Sequence, residues 1–425
     1  MPPVTCPRRL LLGLFGTVVL ALPAPALAGE QTLTFRTAAI SVEGYGVTQA
    51  TQLIESPRVD GYVVDFSAVV VDEQGNVQTD RDIMLHHVVV AKLGKPDYTC
   101  PGLQAERFYA QGEETTKLAL PPGFGYPNRA GERWAMLYML MNHHAKPLKG
   151  YVRYTVRYVT GEDLTPVKPV WLDIRNCRTS EFDVPGTGAK GSSFTQSAEF
   201  TMPEAGTFVA GGGHLHGGGI RLELRNATCG ATPFASLPTW GKPIPKPILH
   251  EPGPARMSSF SSPLGIPVAA GERLQLAAVY DNDKPHTRVM GIMLLYLAPG
   301  QGESCRPIPQ LAIELGRPGA PPPFSMPLPR KPTGKLQRDL KSTWVGDFRF
   351  GAERVSLKRG ATFTWRFIGR VPHDVTLISG PIGFSSPPSQ REGTYTQTFT
   401  RTGEYRLFCS LHPTRMVQQI SVRKR

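Results

Sequence analysis

The sequence predicts an all-β protein made of consecutive β-sandwich, jelly-roll-like domains. Among its 425 residues are 44 glycines and 41 prolines, about one residue in five. Charged residues make up 19% of the chain and hydrophobic residues 40%, which is too apolar for general disorder. Such a density of helix breakers also argues against a helical bundle, while apolar alternation between turn signals favours strands. The length suffices for two or three domains with their own cores.

Residues 1–28 have the pattern of a signal peptide. Arg8 and Arg9 precede the apolar stretch 10–22, and cleavage is expected before Gly29. The arginine pair leaves a twin-arginine signal open, although the general secretory route is favoured. We therefore expect a secreted or periplasmic protein. The mature sequence contains no apolar run of about 18 residues, which predicts that it has no transmembrane segment.

The strand-like runs divide the mature chain into three blocks and a connector. We predict one β-sandwich over residues 29–185 and a second over 186–305, separated by a segment rich in Gly, Lys and Ser. A Pro-rich, extended linker follows over 306–341, and a third sandwich over 342–425. The clearest runs are Val63 to Val71, Met84 to Leu93, Trp134 to Met141, Val152 to Tyr158, Ile220 to Leu224, Leu274 to Tyr280, Met290 to Leu297 and Tyr405 to Cys409.

The formal net charge of +13 is concentrated at the C-terminus. Residues 330–425 carry 18 Lys and Arg against 6 Asp and Glu, a net charge of +12, so residues 29–329 are close to neutral. A concentrated positive field attracts acidic proteins, which points to an acidic redox partner protein, although a solvated basic face is the simpler interpretation. No nucleic-acid-binding motif accompanies the charge, so no nucleic-acid partner is predicted.

Five cysteines remain after the signal peptide: Cys100, Cys177, Cys229, Cys305 and Cys409. In an oxidising compartment an odd number implies one thiol with another role. Four of the cysteines permit three pairings. The predicted domain boundaries favour Cys100–Cys177 with Cys229–Cys305, because each bridge then stays inside one domain. Cys409 is left unpaired.

Six of the ten histidines fall in three compact motifs. In the glycine-flanked His214-x-His216, a strand places both imidazoles on one face, where they can meet a single metal ion. A flexible Gly/His surface loop is the alternative. In the pair His86-His87, adjacent residues of a regular strand point to opposite faces, so both can bind one ion only if the strand bulges. Otherwise one of the two is buried and the other exposed.

The order of these motifs resembles the copper type II, ascorbate-dependent monooxygenases, the family of peptidylglycine α-hydroxylating monooxygenase and dopamine β-monooxygenase. A His-His pair is followed by a single histidine, a His-x-His and a methionine. The family spacing to a following proline selects His143 over His144 as the single histidine. The methionine is Met290, with Met293 as the alternative. The resemblance covers about residues 30–305.

The resemblance implies two copper ions, one in each of the first two sandwiches. The first stores and passes an electron, and the second is where dioxygen reacts. Imidazoles suit both oxidation states of copper, and a thioether favours Cu(I). Zinc competes for a three-histidine site, but a His₂Met set argues against it. The implied ligands are His86, His87 and His143 for the first copper, and His214, His216 and Met290 for the second.

The positions that bind a substrate carboxylate in the peptide-amidating members differ in this sequence. Those enzymes use an arginine before the His-x-His, and polar and tyrosine residues after the methionine, where this chain has Gly212, Ile292 and Leu294. We therefore expect a neutral or apolar small-molecule substrate. The resemblance implies hydroxylation of a C–H bond with dioxygen and a one-electron reductant such as ascorbate.

The third block resembles a cupredoxin of the plastocyanin and amicyanin kind. The resemblance lies in Val-Pro-His-Asp-Val around His373 and in Phe-Cys-Ser-Leu-His-Pro-Thr-Arg-Met from residue 408. It implies a type 1 copper bound by His373, Cys409, His412 and Met416, a set that moves an electron with little rearrangement. The alternative is a buried cysteine with incidental histidines.

Two hypotheses of different classes result from the sequence. The first is a secreted copper monooxygenase whose fused cupredoxin relays electrons to a dicopper core. The second is a non-catalytic copper-binding or electron-transfer protein that has the same ligands. Three histidines have no assigned role: His144, His250 and His286. Of these, His286 is the one to test as a group that supports a metal ligand, because it lies four residues before Met290.

Overall fold

The computed structural model describes residues 29–79, 82–114, 118–241, 250–306, 330–388 and 390–424. The predicted signal peptide and positions 307–329 of the predicted linker lie outside these residues. Within the described ranges all the regular secondary-structure elements are β-strands, which confirms the all-β prediction. They contain no helix of the length and apolar character needed to cross a membrane.

Eleven strands precede residue 168. They are β1 (Gly29–Arg36), β2 (Ile40–Val42), β3 (Val47–Ile54), β4 (Gly61–Val71), β5 (Ile83–Leu93), β6 (Ala105–Gly112), β7 (Leu118–Ala119), β8 (Phe124–Asn128), β9 (Trp134–Asn142), β10 (Leu148–Thr160) and β11 (Thr165–Pro166). They form one sheet in the order β1-β10-β4-β8-β11, with β2 beside β10 and β7 beside β4, and a second in the order β3-β9-β5-β6. We call this pair of sheets the N-terminal unit.

The middle unit contains twelve strands. They are β12 (Lys168–Asp173), β13 (Phe182–Val184), β14 (Ser193–Thr201), β15 (Gly206–Leu215), β16 (Gly219–Asn226), β17 (Ala231–Ser236), β18 (Pro238–Thr239), β19 (Arg256–Met257), β20 (Ser259–Val268), β21 (Arg273–Asp281), β22 (His286–Val289) and β23 (Gly291–Pro299). Its two main sheets have the orders β12-β23-β15-β20 and β14-β21-β16-β17. Two short pairs, β13-β22 and β18-β19, complete it.

Nine strands form the C-terminal unit. They are β24 (Gln337–Arg338), β25 (Ser342–Gly346), β26 (Arg349–Phe350), β27 (Arg354–Lys358), β28 (Thr362–His373), β29 (Thr376–Ser379), β30 (Gln390–Thr398), β31 (Gly403–Phe408) and β32 (Val417–Arg423). The sheet orders are β24-β27-β32-β31-β29 and β26-β25-β28-β30. Parallel pairing of β25 with β28 and of β27 with β32 shows that the chain crosses between the two sheets.

Inward-facing apolar residues hold each sandwich together. In β10, the alternate residues Val152, Tyr154, Val156 and Tyr158 are all buried, as their spacing predicts. Each unit has its own core, and apolar residues of the middle unit, among them Tyr296, extend the core of the N-terminal one. The units therefore pack together through apolar side chains as well as polar contacts.

The sheet pairing differs from the predicted boundary between residues 185 and 186. β12 pairs with β23, and β13 pairs with β22, so residues 168–184 belong to the sheets of the middle unit. The glycine-rich break that suggested the boundary is a loop inside that unit. Both predicted disulfides are present, Cys100–Cys177 and Cys229–Cys305. The first of them joins the N-terminal and middle units instead of staying within one.

Candidate metal centres

A bulge in β5 brings the two adjacent histidines to the same side of the strand. The register between β5 and β9 shifts between Leu85 and His87, so His86 is an extra residue in its strand. The Nδ1 atoms of His86 and His87 consequently lie 2.9 Å apart, although adjacent side chains of a regular strand diverge. Both imidazoles are therefore available to metal ions on the same side of the strand.

The same bulge presents His87 to the His-x-His of β15. The Nε2 atom of His87 lies 3.2 Å from that of His214 and 3.0 Å from that of His216. Two nitrogens bound to one metal ion at about 2.0–2.1 Å are separated by roughly 3 Å, so these distances suit coordination. His86, His87 and His216 also offer nitrogens within 4.8 Å of one another. The two predicted histidine sets thus form one cluster between the N-terminal and middle units.

A buried carboxylate orients His214 within this cluster. Glu114, just after β6, has its Oε2 3.0 Å from Nδ1 of His214, and its Oε1 accepts the backbone N–H of Gly112. A histidine whose Nδ1 donates to a carboxylate presents Nε2 to a metal ion. The end of β6 lies so close to His214 that a Cβ at Gly112 would be 2.6 Å from Cε1 of that histidine. A larger residue at position 112 would therefore have to displace the ring of His214 or the carboxylate of Glu114.

The buried rings favour the neutral form of imidazole, which is the form that binds metals. Burial lowers the pKa of His86 to about 3 and the pKa of His143 to about 4. Burial also lowers the pKa of His87 and His216 well below the usual range, helped by the neighbouring imidazoles. His214 differs: burial opposes protonation, but the carboxylate of Glu114 outweighs it and raises the pKa.

A hydroxyl group links His216 to the methionine predicted as its fellow ligand. Tyr280 is fully buried; its hydroxyl accepts the backbone N–H of His216 and donates to the carbonyl of Met290. Met290 lies between β22 and β23, at the edge of the same cavity as His87 and His214. Met293, the alternative ligand, is fully buried in the apolar core of the middle unit.

The remaining histidines have different environments. The ring of His143 lies 5.9 Å from that of His250, and the Nε2 of His143 is buried with no hydrogen-bond partner among the described residues. His144 forms a surface ion pair with Asp82, 2.8 Å away. His286 is buried and lies 2.6 Å from the carboxylate of Glu251.

A second potential metal centre lies in the C-terminal unit. His373 ends β28, and Cys409 and His412 belong to the segment between β31 and β32. These three residues offer donor atoms within 4.8 Å of one another, with Sγ of Cys409 3.6 Å from Nδ1 of His412. His373 is completely buried, and neither of its ring nitrogens has a hydrogen-bond partner in the part of the chain that the structure describes. Met416, the fourth predicted ligand, is buried in the core of the same unit.

The surroundings of Cys409 require a positive charge if the thiolate is to form. Burial raises the pKa of the thiol, so the anion is unfavourable without a bound cation. The backbone N–H of Asp374 donates to Sγ at 3.4 Å and can stabilise a metal-bound thiolate. Burial lowers the pKa of His412 to about 4, which keeps its ring neutral. These donors fit a type 1 copper ion.

Arg288 of the middle unit forms several contacts with the C-terminal unit. Its guanidinium donates to Glu181 at 2.5 Å within its own unit, and across the interface to the hydroxyl of Thr376 at 2.7 Å and the carbonyl of Ser386 at 3.0 Å. It also lies 3.6 Å from Asp374, the residue that follows His373. The Arg288 side chain is only 11% exposed.

Two cavities adjoin the histidine cluster. The larger, of about 670 Å³, lies between the sheet β3-β9-β5-β6 and the sheet β12-β23-β15-β20 and reaches His87, His214 and Met290. Its lining is mostly apolar and includes Ile292 and Leu294. The smaller, of about 340 Å³, is bounded by residues of all three units. The lining residues that belong to the two metal centres or lie near them are His86, His216, His250, Thr376, Phe408 and Ser410.

Comparisons with known proteins give two partial similarities. Residues 139–300 match the family described as "SURNod19: Stress up-regulated Nod 19". A stretch of 72 residues, 16% of the chain, is 29% identical to amicyanin from Paracoccus denitrificans and spans 55% of the length of that protein. Neither of these two similarities is to a monooxygenase.

Solved cupredoxins also match a fifth of the chain. A purple cupredoxin from Nitrosopumilus maritimus is 24% identical, with 20% of this chain and 99% of that one covered and a TM-score of 0.18. The Cu(I) form of an amicyanin variant is 26% identical, with 20% and 83% covered and a TM-score of 0.19. The chain is thus similar to cupredoxins over a small part of its length.

Sequence reasoning missed the two carboxylates that touch the histidine cluster, Glu113 and Glu114, and the role of His250. His250 lies 3.0 Å from Glu113, although 136 residues separate them in the chain. Two adjacent glutamates after a strand can indicate a functional site. Glutamates that form ion pairs at a protein surface show the same sequence pattern. Only the tertiary structure shows that they face imidazoles.

Proposed function

We propose that this chain is a copper-dependent monooxygenase in which the C-terminal unit passes electrons to the histidine cluster. The observation that carries the proposal is the position of the cluster, which adjoins an apolar cavity on one side and a cavity shared with the Cys409 centre on the other. The reaction would convert R–H, dioxygen, two electrons and two protons into R–OH and water. Ascorbate or another one-electron donor would supply the electrons singly.

The cluster supports the choice of copper. The rings of His87 and His216 are buried and neutral, and the spacing of their nitrogens suits a metal ion. Copper bound there supplies one-electron redox chemistry and reactivity towards dioxygen. The chain's own residues position it: Glu114 fixes the tautomer of His214, and Tyr280 holds the backbone of His216 beside Met290.

The larger cavity supports a neutral or apolar substrate. Gly212, Ile292 and Leu294, the three positions where the related peptide-amidating enzymes bind a carboxylate, all line it. The guanidinium of Arg107 also lines this cavity but makes two hydrogen bonds with Asp97, at 2.7 and 2.9 Å. It is therefore not available as an anion clamp. A substrate of moderate size would enter beside His214 and be shielded from water.

The interface between the middle and C-terminal units supports internal electron transfer. Phe408 and Ser410, on either side of Cys409, line the smaller cavity together with His86 and His216. The sequence similarity to amicyanin supports a type 1 copper at Cys409. Arg288 joins the two units through hydrogen bonds to Thr376 and Ser386, which supports a fixed position of this centre relative to the cluster. An acidic redox protein would deliver electrons to the basic C-terminal unit.

The second candidate function is copper binding or electron transfer without turnover. The cupredoxin similarity favours it, because that similarity concerns one centre and says nothing of catalysis. Oxygen uptake separates the two functions. Copper-loaded protein with ascorbate and a panel of neutral apolar compounds should consume oxygen only when a compound is hydroxylated. Copper loading without any substrate-dependent uptake would favour the second candidate.

A further inference from the structure

A carboxylate and an unassigned histidine lie against His86, away from the His-x-His. Glu113 follows β6, and its Oε1 is 3.0 Å from Nε2 of His250 and 3.5 Å from Nε2 of His86. Its Oε2 accepts the backbone N–H of Gly253, which fixes the carboxylate. His86, Glu113 and His250 offer donor atoms within 4.8 Å of one another.

Two imidazole nitrogens beside this group lack partners among the described residues. Nδ1 of His250 and Nε2 of His143 are buried without a hydrogen bond. The rings of His143 and His250 are stacked, with 5.9 Å between their centres. Burying a polar atom without a hydrogen-bond partner is unfavourable, so such atoms in a group of metal-binding residues point to a ligand that binds there.

The two histidines of the bulge face different neighbours. His87 is in contact with His214 and His216, whereas the Nε2 of His86 is directed at Glu113. The ring of His86 also lies 5.3 Å from that of His250. The bulge therefore brings two donor sets within reach of the histidine pair.

We propose that Glu113 and His250 complete a metal site with His86, and that His87 belongs to the neighbouring site with His214 and His216. His143 adjoins the Glu113 site. The inference rests on the proposed function for the identity of the metal, copper. A carboxylate oxygen is a hard donor and favours Cu(II), whereas the thioether of Met290 favours Cu(I). The two sites would thus differ in the oxidation state that they stabilise.

The test is metal content in full-length variants. His250→Ala and Glu113→Gln should each lose one copper ion per chain, or bind it about 10–100-fold more weakly, while the other copper ions remain. The matched control is His144→Ala, because His144 also pairs with a carboxylate but lies at the surface. It should keep the copper content of the unsubstituted protein. Copper is measured by elemental analysis, and its environment by Cu(II) electron paramagnetic resonance.

The visible band of the Cys409 centre serves as an internal check of folding. If His250→Ala does not fold, Glu113→Gln carries the test, because glutamine keeps the shape of the side chain. Unchanged copper content and resonance spectrum in both variants would overturn the inference and leave Glu113–His250 as a structural contact. A failure of the proposed function looks different: the unsubstituted protein would bind copper without substrate-dependent oxygen uptake, while the two variants would still lose one copper ion each.

Discussion

Replacing Arg288 with methionine should release the C-terminal unit from the middle unit. Methionine keeps much of the length of the side chain but removes the charge that lies between Glu181 and Asp374. It also removes the hydrogen bonds to Thr376 and Ser386. Both carboxylates would then be left in a largely buried interface without their cation.

The size of the effect follows from that burial. Removing one partner of a buried ion pair costs about 3–5 kcal/mol, which lowers the docking equilibrium by roughly 100-fold to 3,000-fold. The contacts Ser385 to Asp183 and Thr287 to Leu377 remain, so the lower end of this range is expected. A surface pair contributes only about 0–1 kcal/mol, so Arg221→Met, which breaks an ion pair with Glu223, is the matched control.

The assay follows electrons out of the Cys409 centre. That centre is reduced rapidly, and the return of its visible band is recorded as the electron passes to the histidine cluster. Arg288→Met should slow this return at least tenfold, while Arg221→Met should match the unsubstituted protein. Limited proteolysis should also cut the Arg288→Met chain faster in the linker. Transfer at the unsubstituted rate in Arg288→Met would refute the interface as the electron route.

Four further substitutions test the centres themselves. Cys409→Ser should abolish the visible charge-transfer band and leave about two copper ions per chain, because a hydroxyl does not replace a thiolate. A copper-loaded protein without such a band before substitution would contradict the type 1 assignment. Met290→Leu, which is similar in volume, should keep the fold and greatly reduce turnover, whereas Met293→Leu should leave turnover nearly unchanged; the reverse pattern would move the ligand to Met293. Tyr280→Phe should lower the free energy of unfolding by about 1–3 kcal/mol, because the Met290 carbonyl loses its donor, and it should weaken copper binding at His216. Thermal unfolding and copper retention check this, and no change in either would show that the hydroxyl does not hold the site.

Much of the fold was accessible from the sequence because strands leave a period of two in the hydrophobic pattern. The inward row of β10, from Val152 to Tyr158, shows this directly. Both disulfides were predicted, but the reason holds for only one of them: Cys229–Cys305 lies within the middle unit, whereas Cys100–Cys177 joins two units. The boundary near residue 185 was placed too late, because a glycine-rich loop within a sandwich resembles a linker in composition.

The histidine motifs were visible in the sequence, but their arrangement was not. A bulge depends on the register between β5 and β9. The sequence could therefore state only that His86 and His87 can bind one ion if the strand bulges. The contact between Glu113 and His250 joins distant segments through tertiary packing. Arg288 gave no signal at all, because a single arginine in a strand is usually a surface residue.

The docking of the C-terminal unit also differs from what net charge alone suggests. The C-terminal residues 330–425 have a net charge of +12, whereas residues 29–329 are close to neutral. Attraction between net charges therefore contributes little to their association. The interface instead uses buried, specific contacts, in which one arginine of the middle unit meets an aspartate of the basic unit. Local complementarity, and not net charge, thus holds the units together.

The central claim is that the histidine cluster oxidises a substrate in the adjoining cavity. The most direct test supplies copper-loaded protein with ascorbate, isotopically labelled dioxygen and a neutral apolar compound that fits a cavity of about 670 Å³. We expect one labelled oxygen atom in the hydroxylated product for each dioxygen consumed, with both product and uptake lost in Met290→Leu. The claim would be contradicted if the protein were fully loaded with copper and rapidly reduced at Cys409, yet gave no labelled product from any compound that binds in the cavity.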